Sequence, residues 1–267
     1  MSDFFNQNQI EKIISCAFAA GEIADKFFRL RNFEVITKSD NTKVTSADIA
    51  ISKFIDEKLT KEFPQIPIIC EEGKLRQVDD IFWLIDPIDG TTSFIEGNVE
   101  FAISIALIKN NRAIFGLIYA PLFENGKMIF SNHKNQIIAQ DKSGKNAVIE
   151  FSKSSSDLLR IVTSPRTKDV DIKNYLKKFY PDIDKNFVVT RVSSAIKFLH
   201  ILENKADLYL HFRQSMEWDT AAGQALIEMM NGQVKTMVFN QDQILLTKNL
   251  SYKKPNFLNQ SFVAFIN

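Results

Sequence analysis

The stretch WLIDPIDGTTSF, residues 83 to 94, decides the fold predicted for this chain. Its apolar beginning is typical of a buried strand, and the strand ends in Asp86 and Asp89. Two carboxylates this close repel each other unless a cation or a proton lies between them. Pro87 fixes its own φ and so holds the two aspartates in a set relation. The stretch therefore predicts a strand that ends at a cation site.

The residues after the second aspartate add the features of an anion site. Gly90 lets the backbone approach a ligand, and Thr91, Thr92 and Ser93 can begin a helix whose free N–H groups would face an anion. Metal ligands beside such a helix start indicate a phosphate site. The expected chemistry is attack of a metal-activated water on a phosphoryl group.

Further acidic residues stand at the ends of predicted elements. Glu71 and Glu72 follow the strand-like IPIIC, and Asp219 lies in EWDTAAG between a predicted strand and a predicted helix. Loops at one edge of a sheet gather functional groups, so we expect these carboxylates to converge on the aspartate pair. Oxygen ligands of this kind suit Mg²⁺ or Mn²⁺ rather than zinc.

Taken singly, most of these residues can be explained by ordinary structural roles. Asp48 follows Thr45 at the spacing of a capping box, and Asp219 alone would be a helix N-cap. The three histidines share no spacing and are interpreted as surface or packing residues: His133, His200 and His211. The joint occurrence of the carboxylates favours the functional reading.

Composition excludes several classes of protein. The chain has 267 residues, 45% of them apolar and 24% charged, with a net charge of +1, so we expect no stable nucleic-acid partner. Its apolar runs are shorter than the roughly 20 residues that cross a bilayer, which predicts no membrane span. Cys16 and Cys70 show no metal or disulfide spacing, and the first residues lack a signal peptide pattern. A cytoplasmic location is therefore expected.

Periodicity predicts two halves. Apolar residues recur at three and four over 5 to 31, and a second helix starts after Thr45 and ends before Pro64. A largely antiparallel sheet with a hairpin turn at 110 to 112 follows, built from these strands: IPIIC, IFWLID, FAISIALI, AIFGLIYAP and KMIFSN.

Beyond the first sheet, strands and helices alternate. The predicted order is strand RIVTS, helix DIKNYLKKF, strand FVVTR, helix SSAIKFLHILEN, strand ADLYLHF and helix TAAGQALIEMMN, then C-terminal strands. The polar segment 141 to 157 is the predicted boundary. We expect an α+β subdomain over 1–150 that carries most metal ligands, and an α/β subdomain over 151–267 that completes the site and the substrate pocket.

The motifs CEEG, WLIDPIDGTTSF and EWDTAAG, in this order and at these separations, resemble the inositol monophosphatase superfamily of magnesium-dependent, lithium-sensitive phosphatases. The resemblance runs over nearly the whole chain. It implies a layered αβαβα sandwich, of the inositol monophosphatase and fructose-1,6-bisphosphatase type, with the site between its halves. It also implies two or three Mg²⁺ ions, with Mn²⁺ as a possible substitute.

The same resemblance implies roles for individual residues. Glu71, Asp86 and the carbonyl of Ile88 would hold one metal, and Asp86, Asp89 and Asp219 would hold a second. A third, weaker metal site would again use Glu71.

The resemblance also implies the catalytic groups. Thr91, hydrogen-bonded to Asp48, would position or deprotonate the attacking water, and Glu72 would act close to that water. The backbone amides of Gly90 and Thr91 would bind the phosphate.

Four segments resemble the CysQ-type 3'(2'),5'-bisphosphate nucleotidases within that superfamily: KVTSADIA, SSAIKF, ADLYLHF and MEWDTAAGQALIE. This resemblance implies hydrolysis of adenosine 3',5'-bisphosphate to AMP and phosphate. Four residues are candidates for contacts to the substrate's other phosphate or its base: Arg166, Ser194, Lys197 and Arg213.

Two alternatives stay open. TTSF after DPIDG is similar to inositol phosphatases, and Ser164-Pro165-Arg166-Thr167 stands where the nucleotidases usually show Ser-Arg-Ser-His. The first alternative is therefore an inositol-1-monophosphatase, or a broad sugar-phosphate or fructose-1,6-bisphosphate phosphatase. The second is a regulatory binding partner in RNA metabolism that retains the fold. If the protein is an enzyme, its expected partner is a small phosphorylated substrate. The protein is expected to be a monomer or a homodimer.

Overall fold

The computed structural model describes residues 4–38, 42–73, 79–151, 157–183, 186–240 and 243–267. Within these ranges the chain forms six α-helices: α1 (Gln7–Leu30), α2 (Ser46–Glu62), α3 (Thr91–Glu96), α4 (Asp169–Phe179), α5 (Ile196–Leu202) and α6 (Ala221–Met229). None of these helices combines the length and the apolarity needed to cross a membrane.

The strands of the first half are β1 (Val35–Thr37), β2 (Lys43–Thr45), β3 (Ile68–Cys70), β4 (Ile81–Asp89), β5 (Ala102–Lys109), β6 (Arg112–Ala120), β7 (Lys127–Ser131), β8 (Ile137–Gln140) and β9 (Asn146–Val148). Those of the second half are β10 (Leu159–Thr163), β11 (Phe187–Arg191), β12 (Leu208–His211), β13 (Ser215–Met216), β14 (Gln233–Asn240), β15 (Gln243–Asn249), β16 (Leu258–Asn259) and β17 (Phe262–Phe265).

The first sheet runs β3-β4-β5-β6-β7-β8-β9 and is antiparallel except between β3 and β4, as the sequence predicts. Asn110 and Asn111 form the turn between β5 and β6 with φ of 50° and 62°, the left-handed pair of a two-residue hairpin. The register of β4 against β5 shifts between Asp86 and Asp89. Pro87 lies in this gap, because proline has no N–H to donate to the neighbouring strand.

The second sheet runs β11-β10-β12-β17-β14-β15. Its strand β10 is parallel to β11 and β12, and the remaining pairs are antiparallel. Parallel neighbours need crossover connections, which helices α4 and α5 provide. The predicted alternation of strands and helices in this half is confirmed.

The elements form five layers held together by three apolar cores, of which the central one contacts both sheets. Helices α1 and α2 pack on the face of the first sheet that contains Trp83 and Tyr119. Helices α5 and α6 fill the space between the sheets, against Leu84 on one side and Phe262 on the other. Helix α4 covers the outer face of the second sheet. The predicted αβαβα sandwich is confirmed.

Close packing of α6 on the first sheet sets the distance between the two halves. Gly116 of β6 faces α6, and a Cβ atom there would lie 2.2 Å from the carbonyl oxygen of Ala222. Any side chain at position 116 would push the helix away. The start of α6, just after Asp219, is therefore held against β5 and β6.

Two sequence expectations differ from the structure in their details. The helix predicted over 193 to 204 begins only at Ile196, because Ser194 has a left-handed φ of 57°. The polar segment 141 to 157 contains strand β9, which pairs with β8 as Ile138 with Val148. Residues 152–156 of that segment lie outside the described residues. The division into 1–150 and 151–267 stays a prediction.

Candidate active site

Three aspartates meet where β4 ends and α6 begins. Asp86, Asp89 and Asp219 each offer a carboxylate oxygen, and these oxygens lie within 4.8 Å of one another. Asp86 is 1% exposed. The shifted register of β4 presents the first two, and the turn between β13 and α6 presents the third. Residues 130 positions apart in the sequence thus share one site.

Burial and mutual repulsion shape the electrostatics of this trio. Burial raises the pKa of Asp86 well above its usual range, and the charges of Glu71, Asp89 and Asp219 raise it further. The pKa of Asp219 is raised in the same way, by burial first and then by Asp89. Burial also raises the pKa of Asp89, although Lys197 opposes the rise. A divalent cation would replace the protons that these groups otherwise hold.

The donor set fits a hard cation. All three side chains offer carboxylate oxygens, and no cysteine or histidine belongs to the trio, which favours Mg²⁺ or Mn²⁺ over zinc. Two of the three aspartates are also oriented by the backbone near them. The N–H of Ile88 donates to Asp86 Oδ1 at 3.0 Å, and the N–H of Met216 donates to Asp219 Oδ2 at 2.8 Å.

Glu71 and Glu72 follow β3, beside the aspartates. Burial raises the pKa of Glu71 to about 7, with Glu72 as the next cause. The N–H of Glu71 donates to the carbonyl of Ile85 at 3.1 Å, which places Glu71 beside the strand end that carries Asp86, and the charge of Glu71 contributes to the raised pKa values of Asp86 and Asp219.

A cation that the sequence does not reveal pairs with these glutamates. Lys38, just after β1, places its Nζ 2.8 Å from Glu72 Oε1 and 3.5 Å from Glu71 Oε1. A single lysine in a polar loop carries no signal in the sequence, because most such lysines are solvated.

Asp48 serves two roles at once. Its Oδ2 accepts from the backbone N–H of Thr45 at 2.8 Å, which completes the capping box of α2. Its Oδ1 accepts from the hydroxyl of Thr91 at 3.1 Å. The hydroxyl of Thr91 also lies 3.1 Å from the carbonyl oxygen of Ile88. The capping reading and the contact implied by the resemblance are both correct.

Gly90 permits a turn that no larger residue would fit. Its φ is 94°, and a Cβ would lie 2.9 Å from the carbonyl oxygen of Glu100 and 3.1 Å from Ser194 Cβ. Helix α3 starts at the next residue, as predicted. At the other end of α3, Arg31 donates to the carbonyl of Phe94 at 3.0 Å and also to that of Ile95.

Ser194 and Lys197 lie beside the trio. Lys197 is 5% exposed, and its ammonium donates to the carbonyl of Ser194 at 2.5 Å. Burial lowers the pKa of Lys197 to about 8, although Asp89 and Asp219 oppose the shift.

A cavity of about 60 Å³ connects these residues to the aspartates, and its lining includes Asp89, Ser194, Lys197, His211 and Asp219. His211 stacks on Phe262 at 4.9 Å between ring centroids, which agrees with its interpretation as a packing residue.

Arg166 and Arg213 are both exposed, and Arg166 stands next to α3. Arg166 places an Nη2 3.5 Å from the hydroxyl of Thr92, and Arg213 donates to the carbonyl of Arg166 at 3.3 Å. The structure therefore brings these two residues to the site's edge. Their contact with substrate stays a prediction.

The family profile of the inositol monophosphatases matches residues 6–263. The chain belongs to the inositol monophosphatase family. It is therefore a phosphatase, and the family resemblance expected from the sequence is confirmed.

Relatives named as nucleotidases cover almost the full length of the chain. The 3'(2'),5'-bisphosphate nucleotidase CysQ of Buchnera aphidicola is 32% identical over 263 residues, which is 97% of this chain and 94% of the relative. CysQ of Haemophilus influenzae is 30% identical over 254 residues, 90% of this chain and 91% of the relative.

Solved structures of the family share the fold. CysQ from Bacteroides thetaiotaomicron superposes with a TM-score of 0.75 at 23% identity and covers 99% of both chains. The inositol monophosphatase of Anabaena superposes with a TM-score of 0.68 at 23% identity, over 97% of this chain and 90% of the other.

Proposed function

We propose that this protein is a Mg²⁺-dependent 3'(2'),5'-bisphosphate nucleotidase that hydrolyses adenosine 3',5'-bisphosphate to AMP and phosphate. The observation that carries the reaction type is the buried trio of Asp86, Asp89 and Asp219 beside the Thr91 hydroxyl. The substrate rests on the similarity to curated nucleotidases, up to 32% identical over 97% of the chain.

The metal ligands proposed for this chain are the clustered carboxylates and one backbone carbonyl. Glu71, Asp86 and the Ile88 carbonyl would hold one Mg²⁺, and Asp86, Asp89 and Asp219 would hold a second, with Glu71 available to a third. When bound, the ions neutralise the carboxylates, lower the pKa of a water and stabilise charge on the phosphoryl oxygens. The raised pKa values of Asp86 and Asp219 support this assignment, because buried carboxylates without a cation hold protons.

Thr91 and Asp48 prepare the attacking water. The Thr91 hydroxyl donates towards Asp48 Oδ1, which leaves a lone pair on Thr91 Oγ1 to accept a hydrogen bond from the water. As the water gives its proton to Thr91 Oγ1, the hydroxyl proton of Thr91 passes to Asp48 Oδ1. Asp48 is fixed by its second oxygen, so the hydroxyl is held in one rotamer. Glu72, paired with Lys38, lies next to this group and acts close to the same water.

The other residues bind the substrate. The N–H groups of Gly90 and Thr91, at the start of α3, bind the phosphate that is cleaved. Ser194 and Lys197 face the cavity beside Asp89 and Asp219 and contact the second phosphate. Arg166 and Arg213 extend this basic side of the site to its edge, where they contact the base or the second phosphate.

Phosphate release measured with three substrates tests the assignment: adenosine 3',5'-bisphosphate, inositol 1-phosphate and fructose 1,6-bisphosphate. We expect the nucleotide to have the highest kcat/KM. A higher kcat/KM for inositol 1-phosphate would instead support the inositol monophosphatase alternative, which TTSF and Ser164-Pro165-Arg166-Thr167 favour.

A regulatory role in RNA metabolism remains a separate candidate, since the fold could serve a partner without turnover. A variant Asp89→Asn that lost hydrolysis and kept the cellular phenotype would support it. We also propose a cytoplasmic location, which the free and buried cysteines Cys16 and Cys70 support. Sedimentation of the purified protein would distinguish a monomer from a homodimer.

A further inference from the structure

Glu217 stands two positions before Asp219, and its exposure is 0%. A charged side chain is rarely buried so completely unless it is paired. Its carboxylate accepts from the backbone N–H of Lys253 at 2.8 Å and of Lys254 at 2.9 Å. The ammonium of Lys254 lies 2.8 Å from the same carboxylate. All three donors belong to one short segment of the chain, and that segment carries no residue assigned above to metal or substrate.

We call residues 250 to 259 the C-terminal strap. One part of the strap is bound to the first sheet, where the N–H of Tyr252 donates to the carbonyl of Asn111 at 3.0 Å. Lys253 Nζ also pairs with Asp80, directly before β4, at 3.2 Å. Strand β4 is the element that ends in Asp86 and Asp89.

The other part of the strap is bound to the turn that carries Asp219. Asn259 has 0% exposure, and its Nδ2 donates to the carbonyl of Met216 at 2.9 Å and to the hydroxyl of Thr220 at 2.8 Å. The strap therefore joins the residue before β4, at the end of that strand opposite Asp86 and Asp89, to the turn that carries Asp219.

Glu217 fixes the backbone of this turn as well as its contact with the strap. The backbone carbonyl of Glu217 accepts from the N–H of Thr220 at 3.2 Å and from the N–H of Ala221 at 3.0 Å, and α6 begins at this turn. Asp219 lies inside this turn and is oriented by Met216. A displacement of Glu217 would therefore move the carboxylate of Asp219 relative to Asp86 and Asp89.

The strap holds backbone conformations that need support. Lys253 and Phe257 have φ of 67° and 53°, in the left-handed region that bulky residues rarely adopt. Such conformations persist when surrounding contacts over-determine them, and they collect at functional sites. The Glu217 carboxylate supplies two of those contacts, at Lys253 and at Lys254.

We propose that Glu217 is a positioning residue for the metal site, acting with Lys254 to hold the carboxylate of Asp219 at the distance that a divalent cation requires. The proposal rests on the metal site proposed above. A merely structural Glu217 would affect the stability of the fold alone, whereas a positioning Glu217 affects the Kd of the metal in the folded protein.

The experiment compares Glu217→Gln with Glu228→Gln on the full chain. Glu228 also lies on α6, where it accepts from Gln224 at 2.8 Å and from Asn249 at 3.0 Å and pairs with Arg112 at 3.1 Å, and none of these contacts among the described residues is with the Asp219 turn. Binding of Mn²⁺ to metal-free protein is measured by titration calorimetry, well below the unfolding temperature of every variant. We expect roughly tenfold weaker binding for Glu217→Gln and wild-type binding for Glu228→Gln.

One further variant, Lys254→Met, provides a substitute for Glu217→Gln. Lys254→Met leaves both backbone donors to Glu217 in place, so it replaces Glu217→Gln if that variant does not fold, and we expect it to weaken Mn²⁺ binding in the same direction. Turnover supplies a second readout: the half-saturating Mg²⁺ concentration rises in both variants, while KM at saturating Mg²⁺ stays at the wild-type value.

Asp219→Asn separates the two possible failures. If Asp219→Asn binds Mn²⁺ like the wild type, the proposed metal site is wrong and the role of Glu217 fails with it. If Asp219→Asn loses Mn²⁺ while Glu217→Gln and Lys254→Met bind it normally, the metal site stands and the positioning role is overturned. Equal weakening in Glu228→Gln would also overturn it, since the effect would then be a general one of α6.

Discussion

The hydroxyl of Thr91 lies 3.1 Å from Asp48 Oδ1, so that one hydrogen bond joins the first turn of α2 to the first residue of α3. The two oxygens of Asp48 have separate partners, since Oδ2 completes the helix cap and Oδ1 meets Thr91. Asp48 is 1% exposed, and burial raises its pKa despite the hydrogen bonds from Thr45. The site thus contains a hydroxyl whose direction is set by a buried helix cap.

Thr91→Ala removes the group proposed to orient the attacking water. We expect kcat to fall about 10²-fold with a smaller change in KM, because water orientation matters mainly in the transition state. Thr91→Ser keeps the hydroxyl and should retain most of the activity. Steady-state kinetics at saturating Mg²⁺ measure both variants. An unchanged kcat with a raised KM would make Thr91 a substrate ligand.

Asp86→Asn and Asp219→Asn remove metal ligands and keep the local hydrogen bonds, because an amide oxygen can still accept from Ile88 N–H or Met216 N–H. We expect kcat to fall by about 10²- to 10³-fold. The metal-free variants should unfold at a higher temperature than the metal-free wild type at neutral pH, because the raised pKa values make the folded wild type hold protons that the unfolded chain releases.

Thermal unfolding with and without Mg²⁺ measures this second effect. The wild type should gain more stability from Mg²⁺ than either variant does, because each variant lacks a ligand of at least one proposed metal site. Asp25→Asn, on α1 and away from the site, is the control. Wild-type turnover in either site variant would refute the assignment of these ligands.

The local part of the site could be predicted from sequence, and the long-range part only in outline. Asp86, Pro87 and Asp89 are neighbours, so the strand end and its bend follow from the residues themselves. That Asp219 joins them depends on the packing of α6 against Gly116, a contact between distant parts of the chain. The expectation that Asp219 joins the site came instead from the order of motifs that this chain shares with the inositol monophosphatase superfamily.

Other features could not be predicted because they contradict ordinary preferences. Glu217 would be expected in solvent, yet its exposure is 0%. Ser194 adopts a φ of 57°, which serine seldom has, so α5 begins only at Ile196 and is shorter than the predicted helix. Lys38 follows β1, a strand of three exposed residues with no apolar alternation to reveal it. In each case tertiary contacts override the local signal.

The stability of the metal-free protein should fall as the pH rises. Burial raises the pKa of Glu71 from 4.5 to about 7, so the folded protein keeps a proton that the unfolded chain releases between these values. Stability is therefore highest below the unfolded pKa and decreases as the pH passes through the folded pKa, by on the order of 2 kcal/mol.

Denaturant unfolding of metal-free protein between pH 4.5 and pH 8 measures this loss, starting at the ordinary pKa of Glu71. Glu71→Gln should flatten the dependence, although Asp86 and Asp219 also contribute to it. Mn²⁺ affinity should rise over the same range, because the ion and the proton compete. Stability that increased with pH through 7 would contradict the direction of the Glu71 shift.

Lys38→Met should tighten metal binding at high pH. The Lys38 ammonium lies 3.5 Å from Glu71 Oε1 and therefore repels a cation at that carboxylate. At pH values well above the pKa of Glu71, removal of the charge should lower the Kd for Mn²⁺, on the order of tenfold. Lys38→Arg keeps the charge and should bind like the wild type. Weaker binding in Lys38→Met would show that Lys38 orders the glutamates instead.

Gly90→Ala should destabilise the protein more than Gly144→Ala does. Both glycines have a left-handed φ, 94° and 83°, so both substitutions strain the backbone by about 1 kcal/mol. A Cβ at Gly144 meets no atom within 4 Å, whereas a Cβ at Gly90 would lie 2.9 Å from the Glu100 carbonyl oxygen. The overlap at Gly90 should add about 1 to 3 kcal/mol.

Chemical denaturation of the two glycine variants isolates this packing contribution, because the backbone strain is common to both. Gly90→Ala should also lower turnover, since the new methyl group would press on Ser194, whose Cβ it approaches at 3.1 Å. Gly144→Ala should keep wild-type kinetics. Equal losses of stability in the two variants would mean that the Glu100 carbonyl and the Ser194 side chain move aside freely, and that the α3 turn is less tightly packed than these distances require.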